Sequence, residues 1–405
     1  MNIAYCSLLL PEEKKLVERA KARLPGVSLH KLSTALIHGL DENLDQPVKV
    51  FNIINTLNYP KFPELIFPTE QWSHAPGSQD WHLGYVNLVG IKYITQTLNL
   101  YGKLNAWKKK IPEEKSVICV HHIYLPMMLA ANMMKYKYKD GVEICLITGD
   151  MNGCYGLTKE KRLSIKQRLI KYVEKAIDKL IYGFDSYVFA TRDMAKACGV
   201  EEKPFAVLEC TYNKREEVAE ESVQSCESQE KVIFYAGALR DDYGIPHLLQ
   251  AFSLIKDPDY RLWLAGGAAT TTIQKYLDKD PRIELLGFIT PREVEERQRR
   301  ATVLISPRTA EHEYVKYSFP SKTLECLASG KPYIAHWLPC DPPEYGEYIQ
   351  YAANETDRAL ADKIVELCSM TAEERSRIGQ KAKKFIVEQK NPRVMCKRIV
   401  DLLNR

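Results

Sequence analysis

One short segment in the C-terminal half combines residue types that together bind an anion. In SFPSKTLECLASGKP, Ser318 and Ser321 flank Pro320, and proline is well tolerated in the first turn of a helix. The unpaired N–H groups at such a helix start bind phosphate, and Lys322 is poorly placed there unless an anion is present. Glu325 lies three residues after Lys322 on the same face, so one ligand can meet both. A diphosphate with an attached ribose fits this set, and the alternative is an ordinary capped helix with a solvated lysine–glutamate pair.

Two histidines and an aspartate mark the ends of predicted strands in the N-terminal half. His121 and His122 follow the strand pattern VICV, and Asp150 follows the next strand in the turn TGDMNG. Because open α/β sheets bind ligands at the carboxyl ends of their strands, either histidine is a candidate site residue. Asp150 is a candidate for binding a substrate hydroxyl. A half-buried loop histidine and a turn-forming aspartate are the alternatives.

Two further segments carry weaker signals. Gly266 and Gly267 follow the strand pattern RLWLA, and a backbone without Cβ atoms lets a ligand approach closely, although such glycines are common in strand-to-helix turns. The segment PTEQWSHAPGSQDWHLGY, residues 68–85, is rich in Trp, His and Gly and is too irregular for a core element. It is predicted to be a recognition loop, with a structural excursion as the alternative.

The elements that must position these residues follow a repeated order. Short β-rich runs alternate with longer helical patterns in both halves, which predicts an α/β fold with two doubly wound parallel sheets. The segment between them is charged and Ser-rich, as linkers are. The predicted organisation is an N-terminal domain over 1–211, a linker over 212–231, a second domain over 232–390 and a C-terminal helix over 391–405. A further helix is predicted from about Pro320 to Ser329.

Composition excludes several function classes. The chain has 405 residues, a net charge of +5 and 45% hydrophobic residues, which is an ordinary globular balance without a nucleic-acid-binding signature. Eleven scattered cysteines without a C-x2-C pair favour reduced thiols in a cytosol. The absence of G-x-G-x-x-G and G-x4-G-K-[ST] motifs counts against a nicotinamide dehydrogenase and a P-loop nucleotidase. No signal peptide is expected, because MNIAYCSLLL lacks a basic leader.

The segment SFPSKTLECLASGKP resembles the donor-binding signature of retaining glycosyltransferases of the GT-B fold, sequence family 4, in the branch that builds bacterial surface polysaccharides. Supporting pieces occur in the family's order: YAGALRDDYGIPHLLQAF (235–252), LAGGA (264–268), LLGFIT (285–290), ISPR (305–308) and DPPEYGEYI (341–349). The resemblance implies two Rossmann-like domains facing across a cleft. The second would bind a UDP- or GDP-linked sugar and the first a glycan or lipid-linked acceptor, without a metal or a further cofactor.

The resemblance also assigns roles to individual residues. Glu325 matches the second acid of the family's Glu-x7-Glu pair, which holds the ribose hydroxyls. The first acid falls at Tyr317, so the pair is broken, and Glu311 or Glu313 are candidates to replace it.

The family's usual arginine and lysine near the first strand of this domain fall at Ala238 and Tyr243. Arg240 and Arg308 are the nearest cations that could neutralise the leaving diphosphate, since a guanidinium engages two phosphate oxygens at once. The alternative for either arginine is a surface ion pair with a neighbouring aspartate.

By the same resemblance, a histidine lies beside the transferred sugar, which makes His121 or His122 the catalytic candidate of the first domain. Gly287 and Phe288 would lie near the base. The donor pocket implied by the resemblance contains Gly237, Gly266, Gly267, Phe288, Ser318, Phe319, Pro320, Ser321, Lys322 and Glu325.

Two alternatives to a glycosyltransferase stay open: a catalytically silent GT-B protein that binds a glycan or a partner, and a GT-B epimerase or phosphorylase. A basic amphipathic helix predicted over 158–180 is compatible with anionic lipid, or is simply a solvated helix. The expected location is the cytoplasm, with peripheral contact to the inner face of the cell membrane through 158–180 as an open possibility.

Overall fold

The computed structural model describes residues 1–9, 27–149, 177–213, 230–267 and 271–405. Asp150 and most of the predicted helix over 158–180 lie outside these ranges. The chain divides into two compact units, Met1–Thr211 together with Pro392–Arg405, and Tyr212–Asn391. Within the described ranges, no helix is long and apolar enough to cross a membrane.

The first unit is built on an eight-stranded sheet. The described strands of this unit, two of which lie outside that sheet, are β1 (Asn2–Ser7), β2 (Lys49–Asn52), β3 (Ile66–Phe67), β4 (Glu70–Trp72), β5 (Asp80–His82), β6 (Tyr85–Val86), β7 (Ser116–His121), β8 (Glu143–Thr148), β9 (Ser186–Phe189) and β10 (Phe205–Val207). Its helices include α1 (Val27–Asp41), α2 (Ile91–Lys108), α3 (Leu125–Tyr138) and α4 (Arg192–Ala197). The sheet order is β10-β9-β8-β7-β1-β2-β5-β4, and only the β4–β5 pair is antiparallel among its described pairings. Strands β3 and β6 form a separate antiparallel pair.

The second unit is built on a six-stranded parallel sheet. Its strands are β11 (Lys231–Ala236), β12 (Tyr260–Ala265), β13 (Ile283–Gly287), β14 (Val303–Ser306), β15 (Tyr333–Ala335) and β16 (Gln350–Tyr351), in the order β13-β12-β11-β14-β15-β16. Its helices are α5 (Ile245–Leu254), α6 (Thr271–Leu277), α7 (Pro291–Arg300), α8 (Lys322–Ala328), α9 (Asp357–Ser369) and α10 (Ala372–Gln389). The last helix of the chain, α11 (Pro392–Leu403), belongs to the first unit.

In each sheet the strand order reverses its direction at one point, as expected for doubly wound Rossmann-like folds. The reversal lies between β1 and β7 in the first unit and between β11 and β14 in the second. Strand β7 is buried along its whole length, which is typical of parallel strands covered on both faces. Because ligands of open α/β sheets bind outside the carboxyl ends of the strands at such reversals, the loops after β7, β11 and β14 are the candidate site positions.

Helix α8 begins two residues later than the sequence predicts. The N–H of Thr323 donates to the carbonyl of Pro320 (2.9 Å), and the N–H of Leu324 donates to that of Ser321 (3.3 Å). These three-residue spacings make the first turn a tight 3₁₀-type turn, so the regular helix starts at Lys322. At the other end Gly330 has a φ of +78°, the left-handed conformation that ends helices at glycine.

Helix α11 completes the core of the first unit. Met395, Cys396 and Ile399 are fully buried in it, and Cys396 Sγ lies 3.5 Å from the carbonyl oxygen of Leu36 on α1. The two helices approach closely because α1 has a glycine at the contact: a Cβ on Gly39 would lie 2.4 Å from the carbonyl oxygen of Pro392.

The expectation that residues 68–85 are too irregular for a core element is wrong, because β4 and β5 extend the main sheet. Between them His74 bridges two carboxylates: its Nε2 lies 2.9 Å from Asp41 and its Nδ1 lies 2.7 Å from the fully buried Asp80. Burial alone would lower the pKa of His74, but the hydrogen bonds and charges of the two aspartates outweigh it and raise that pKa to about 9. The polar composition of this segment therefore serves a buried ion bridge.

Candidate functional site

The carboxyl ends of the second unit's strands bring several predicted residues to one edge of the sheet. Gly237 follows β11, Gly266 follows β12 and Gly287 ends β13. The N–H of Gly237 donates to Ala265, and the N–H of Gly266 donates to Gly287, both at 2.9 Å. Arg308 follows β14 on the other side of the reversal point.

The loops on the two sides of the reversal point pack directly on each other. Gly244 ends the turn after β11 with a φ of +80°, and a Cβ there would lie 2.0 Å from the carbonyl oxygen of Pro307. The chain therefore needs glycine at this position, both for its left-handed conformation and for the close approach. This contact holds the backbone next to Arg308 against the β11 loop.

Arg308 is a buried cation with unused hydrogen-bond donors. Its residue surface is only 4% exposed, and its guanidinium lies 4.9 Å from the ring centre of Tyr314 and 5.6 Å from that of Tyr243. Its Nη1 donates to the carbonyl oxygen of Ser318 (3.3 Å). Its Nε and Nη2 are buried without a hydrogen-bond partner among the described residues. Unpaired buried charge is costly, so this geometry suits an anion that presents two oxygens to the guanidinium.

Arg240 differs from Arg308 in both exposure and pairing. Its side chain is 66% exposed, and its Nε and Nη2 donate to the two carboxylate oxygens of Asp242 at 2.8 and 2.7 Å. The structure thus places Arg240 in the surface ion pair that was its alternative, and leaves Arg308 as the arginine with free donors.

The segment that leads into α8 is fixed on one side and accessible on the other. Phe319 is buried with its ring 5.4 Å from that of Tyr345, whereas Ser321 is exposed. Lys322 Nζ lies 2.7 Å from Glu325 Oε2, and the two side chains are 53% and 40% exposed. The predicted cation and carboxylate therefore meet each other at the surface, where a ligand can reach both.

The residues considered as replacements for the missing first acid are both on the surface. Glu313 forms an ion pair with Lys316 and its side chain is 77% exposed, and Glu311 is exposed as well. Tyr317, which occupies the family's acid position, carries Lys316 over its ring at 5.2 Å. The role of either glutamate stays a prediction.

A carboxyl group near Arg308 was missed in the sequence. Burial raises the pKa of Asp341 to about 6, while hydrogen bonds from the N–H of Leu338 (3.1 Å) and the hydroxyl of Tyr351 (2.9 Å), together with the charge of Arg308, act in the opposite direction. Its position in the motif DPPEYGEYI is the signal that could have singled it out.

An exposed aromatic ring stands at the end of β13. Phe288 is 89% exposed, and a Cβ on Gly267 would lie 3.6 Å from its ring. The ring therefore covers the glycine turn after β12 and leaves its other face open to a planar group.

In the first unit, His121 is engaged inside the fold. It is 1% exposed, and its Nδ1 lies 2.6 Å from the hydroxyl of Tyr5 and 3.1 Å from that of Ser33. Its ring stacks on His122 with centres 3.8 Å apart. Burial, with a smaller contribution from His122, holds the pKa of His121 well below its usual range.

His122 has a buried ring nitrogen without a hydrogen-bond partner among the described residues. Its N–H donates to the carbonyl of Ile147 (2.8 Å), and its φ of +84° is a strained conformation that costs about 1–3 kcal/mol. Its Nε2 is buried and has no partner within the part of the chain that the structure describes. Burial lowers the pKa of His122 to about 4, so the ring is neutral at pH 7. His122 therefore has hydrogen-bonding capacity left.

Comparison with protein-family models matches residues 230–370 to the family described as Glycosyl transferases group 1. The match falls entirely within the second unit and includes Arg308, Lys322 and Glu325. No curated protein sequence was found to match the chain.

Solved structures match over the full length of the chain. A sucrose-phosphate synthase from Thermosynechococcus elongatus is 13% identical with a TM-score of 0.61, covering 100% of this chain and 98% of its own. Anabaena HepE in complex with UDP is 12% identical with a TM-score of 0.59, and both chains are fully covered. A TarM mutant from S. aureus in complex with fondaparinux, alpha-GlcNAc-glycerol and UDP is 10% identical with a TM-score of 0.59, again with full coverage of both chains.

Identities this low establish the fold alone. The prediction of an α/β chain with two Rossmann-like domains is confirmed, and the chain has the GT-B fold, with its second unit matched by the Glycosyl transferases group 1 model.

Proposed function

We propose that the protein is a nucleotide-sugar-dependent glycosyltransferase whose second unit binds the donor and whose first unit binds the acceptor. The observation that carries this proposal is Arg308, a buried guanidinium with two unpartnered nitrogens at the reversal point of the second sheet. The match to the Glycosyl transferases group 1 model and the UDP bound by HepE and TarM support a nucleotide donor.

In this proposal Arg308 Nε and Nη2 bind two oxygens of the donor diphosphate. Lys322 exchanges its surface contact with Glu325 for a phosphate oxygen, and the freed carboxylate binds the ribose hydroxyls. The glycine turn at Gly266 lets the backbone approach the ligand, and the open face of Phe288 receives the base. Either UDP or GDP fits these contacts.

The chemistry is electrostatic. When the sugar–phosphate bond breaks, negative charge grows on the leaving oxygen, and a guanidinium that is already desolvated stabilises that charge without reorganising. The sugar passes, with retention, to a hydroxyl of a glycan or lipid-linked acceptor, and the neutral ring of His122 offers its Nε2 to a sugar hydroxyl. Metal independence, an acceptor role for Asp150 and peripheral membrane contact through 158–180 stay predictions.

A catalytically silent GT-B protein is the second candidate. The observation that favours it is the set of departures at Tyr317, Ala238 and Tyr243, where the family has an acid, an arginine and a lysine. Binding of a nucleoside diphosphate without release of product from any donor would support this candidate. Identifying the products released from the donor would also distinguish an epimerase or a phosphorylase from a transferase.

The test uses Lys322→Ala and Glu325→Ala. Each removes one hydrogen bond to a charged group, worth about 1.5–3 kcal/mol, so affinity for the donor should fall roughly 10- to 100-fold. Binding and diphosphate release are measured with a panel of UDP- and GDP-sugars. Because the pair is on the surface, the free energy of unfolding should change by less than about 1 kcal/mol.

A matched control pair lies on α9. Lys363 and Glu366 have the same spacing and the same 2.7 Å contact. Lys363→Ala and Glu366→Ala should leave donor binding unchanged. Wild-type affinity and turnover in both site variants would refute the assignment.

A further inference from the structure

Helix α2 buries two lysines that differ in how many hydrogen-bond acceptors the fold gives them. Lys108 Nζ donates to three main-chain carbonyls at 3.0 to 3.2 Å and to Ser116 Oγ at 3.1 Å. Lys92 is 3% exposed, and its Nζ donates to two oxygens, the carbonyl of Thr56 and Asn55 Oδ1. An ammonium group has three N–H donors, so one donor of Lys92 has no acceptor among the described residues.

The positive charge of Lys92 also lacks a negative partner. Among the aspartates and glutamates that the structure describes, none forms an ion pair with Lys92, and both oxygens that it contacts are neutral. Burial lowers the pKa of Lys92 to about 8, because it disfavours the charged form and no described group of opposite charge offsets it. A buried charge without a partner of opposite sign is costly, so this position favours an anion.

Gln96 adds two further donors beside Lys92. It lies four residues later on α2, so the two side chains share one buried face of the helix. Its Oε1 accepts a hydrogen bond from the hydroxyl of Tyr124 at 2.7 Å. Its Nε2 is buried and has no hydrogen-bond partner within the described ranges. The two N–H groups of this amide and the remaining one of Lys92 make three donors without a protein acceptor.

These donors lie at the edge of the first sheet where open α/β folds bind their ligands. Asn55 and Thr56 follow β2, and Tyr124 follows β7, two residues after His122. Strands β2 and β7 flank β1 and run parallel to it, so their carboxyl ends meet at one edge beside the reversal point. Asn55 and Tyr124 are partly exposed, so the buried donors are one hydrogen bond away from the surface.

We propose that Lys92 and Gln96 bind a phosphate group of the acceptor. A phosphate group on a substrate presents three peripheral oxygens, one for each donor without an acceptor, whereas a carboxylate presents two. Lysine is a common ligand of phosphate. The assignment to the acceptor rests on the proposed function, in which the first unit binds the acceptor. A sugar phosphate and a phosphate-bearing lipid carrier are the two sources of such a group.

The test is calorimetric titration of the full-length protein with inorganic phosphate. The parent protein carries Arg308→Met, so that the proposed donor site does not take up the anion. Phosphate should bind this parent. Adding Lys92→Met should weaken binding at least about tenfold, because a hydrogen bond from a charged group is lost.

Gln96→Glu tests the same site by a different change. The new carboxylate can still accept from Tyr124, and it supplies Lys92 with the anion that it lacks. Phosphate should therefore bind at least about tenfold more weakly, whereas a purely structural role of Gln96 would leave binding unchanged. Thermal unfolding checks that each variant is folded.

The matched control is Gln250→Glu on α5, because Gln250 Oε1 also accepts from a tyrosine hydroxyl, that of Tyr276, at 2.7 Å. It should leave phosphate binding unchanged. The proposal is overturned if the parent does not bind phosphate, if Lys92→Met binds it as tightly as the parent, or if acetate binds more tightly than phosphate.

Titrations with glucose 1-phosphate and geranyl phosphate distinguish the two sources. The compound that binds more tightly than inorganic phosphate carries the group for which the site is built. If neither does, the assignment to the acceptor is wrong. None of these titrations involves a nucleotide-sugar donor, so the phosphate site and the proposed function can fail separately.

Discussion

Replacing Arg308 by methionine separates the anion-binding role of this residue from a structural one. Methionine keeps an extended side chain between the rings of Tyr243 and Tyr314 but removes the charge and all donors. A hydrogen bond to a charged group is worth about 1.5–3 kcal/mol, and two nitrogens of Arg308 are free for a ligand. Because these nitrogens are already desolvated, we expect a loss of at least about 3 kcal/mol, which weakens binding of a nucleoside diphosphate roughly 100-fold or more.

The same substitution should not destabilise the ligand-free protein. Each buried donor without a partner costs about 1–3 kcal/mol, and the variant removes two of them. It also loses the bond from Nη1 to Ser318 and the contacts with the tyrosine rings, which are worth about 0.5–2 kcal/mol. These terms offset each other, so the free energy of unfolding without ligand should not fall.

The assay combines calorimetric titration with UDP and GDP and thermal unfolding of the ligand-free proteins. Arg240→Met is the control, because exposed ion pairs contribute only about 0–1 kcal/mol and Arg240 is already paired with Asp242. Arg240→Met should change neither the affinity for the diphosphates nor the unfolding temperature by much. If Arg308→Met binds the diphosphates as tightly as the wild type, or if it lowers the unfolding temperature in proportion to its loss of binding, the anion-site reasoning is wrong.

Two further predictions concern the histidines of the first unit. His122→Asn should keep the fold, because asparagine tolerates the φ of +84° better than most residues, while turnover measured as released diphosphate falls at least about tenfold; unchanged turnover would remove His122 from the site. For His74, the pKa in the folded protein is about 9, above the ordinary 6.5. The protonated ring therefore stabilises the fold fully below pH 6.5, and this contribution to the free energy of unfolding, up to about 3 kcal/mol, is lost as pH rises through 9. Urea unfolding between about pH 6 and pH 10 should show this loss in the wild type and not in His74→Asn. If the free energy of unfolding depends on pH in the same way in both proteins, the prediction is wrong.

The architecture was accessible from the sequence because it depends on local patterns. Alternating β-rich and helical runs predict two doubly wound sheets, and the reversal points then indicate which strand ends matter. The sequence predicts the start of α8 two residues early because Pro320 and Ser321 form a tighter turn, which helix-start signals do not distinguish from a regular one. The sequence does not reveal that the segment 68–85 belongs to the core, because one partner of His74 is Asp41, 33 residues away, and no local pattern indicates such a contact.

The ranking of the two arginines shows what sequence could not supply. Both follow a strand and both were candidate phosphate ligands. Only packing shows that Asp242 occupies the donors of Arg240, while Arg308 is enclosed by Tyr243 and Tyr314 with two donors unused. The buried lysines of helix α2 are similar, because only the oxygen atoms that the fold brings to Lys92 and Lys108 explain their burial.

The position of α11 has a consequence for synthesis on the ribosome. Residues 212–391 are continuous and can complete their own core as soon as they have emerged. The core of the first unit includes Met395, Cys396 and Ile399, which are translated after the whole of the second unit. Although its strands are made first, this unit acquires its final packing only after the second unit has been synthesised, so the usual order in which nascent domains mature is inverted.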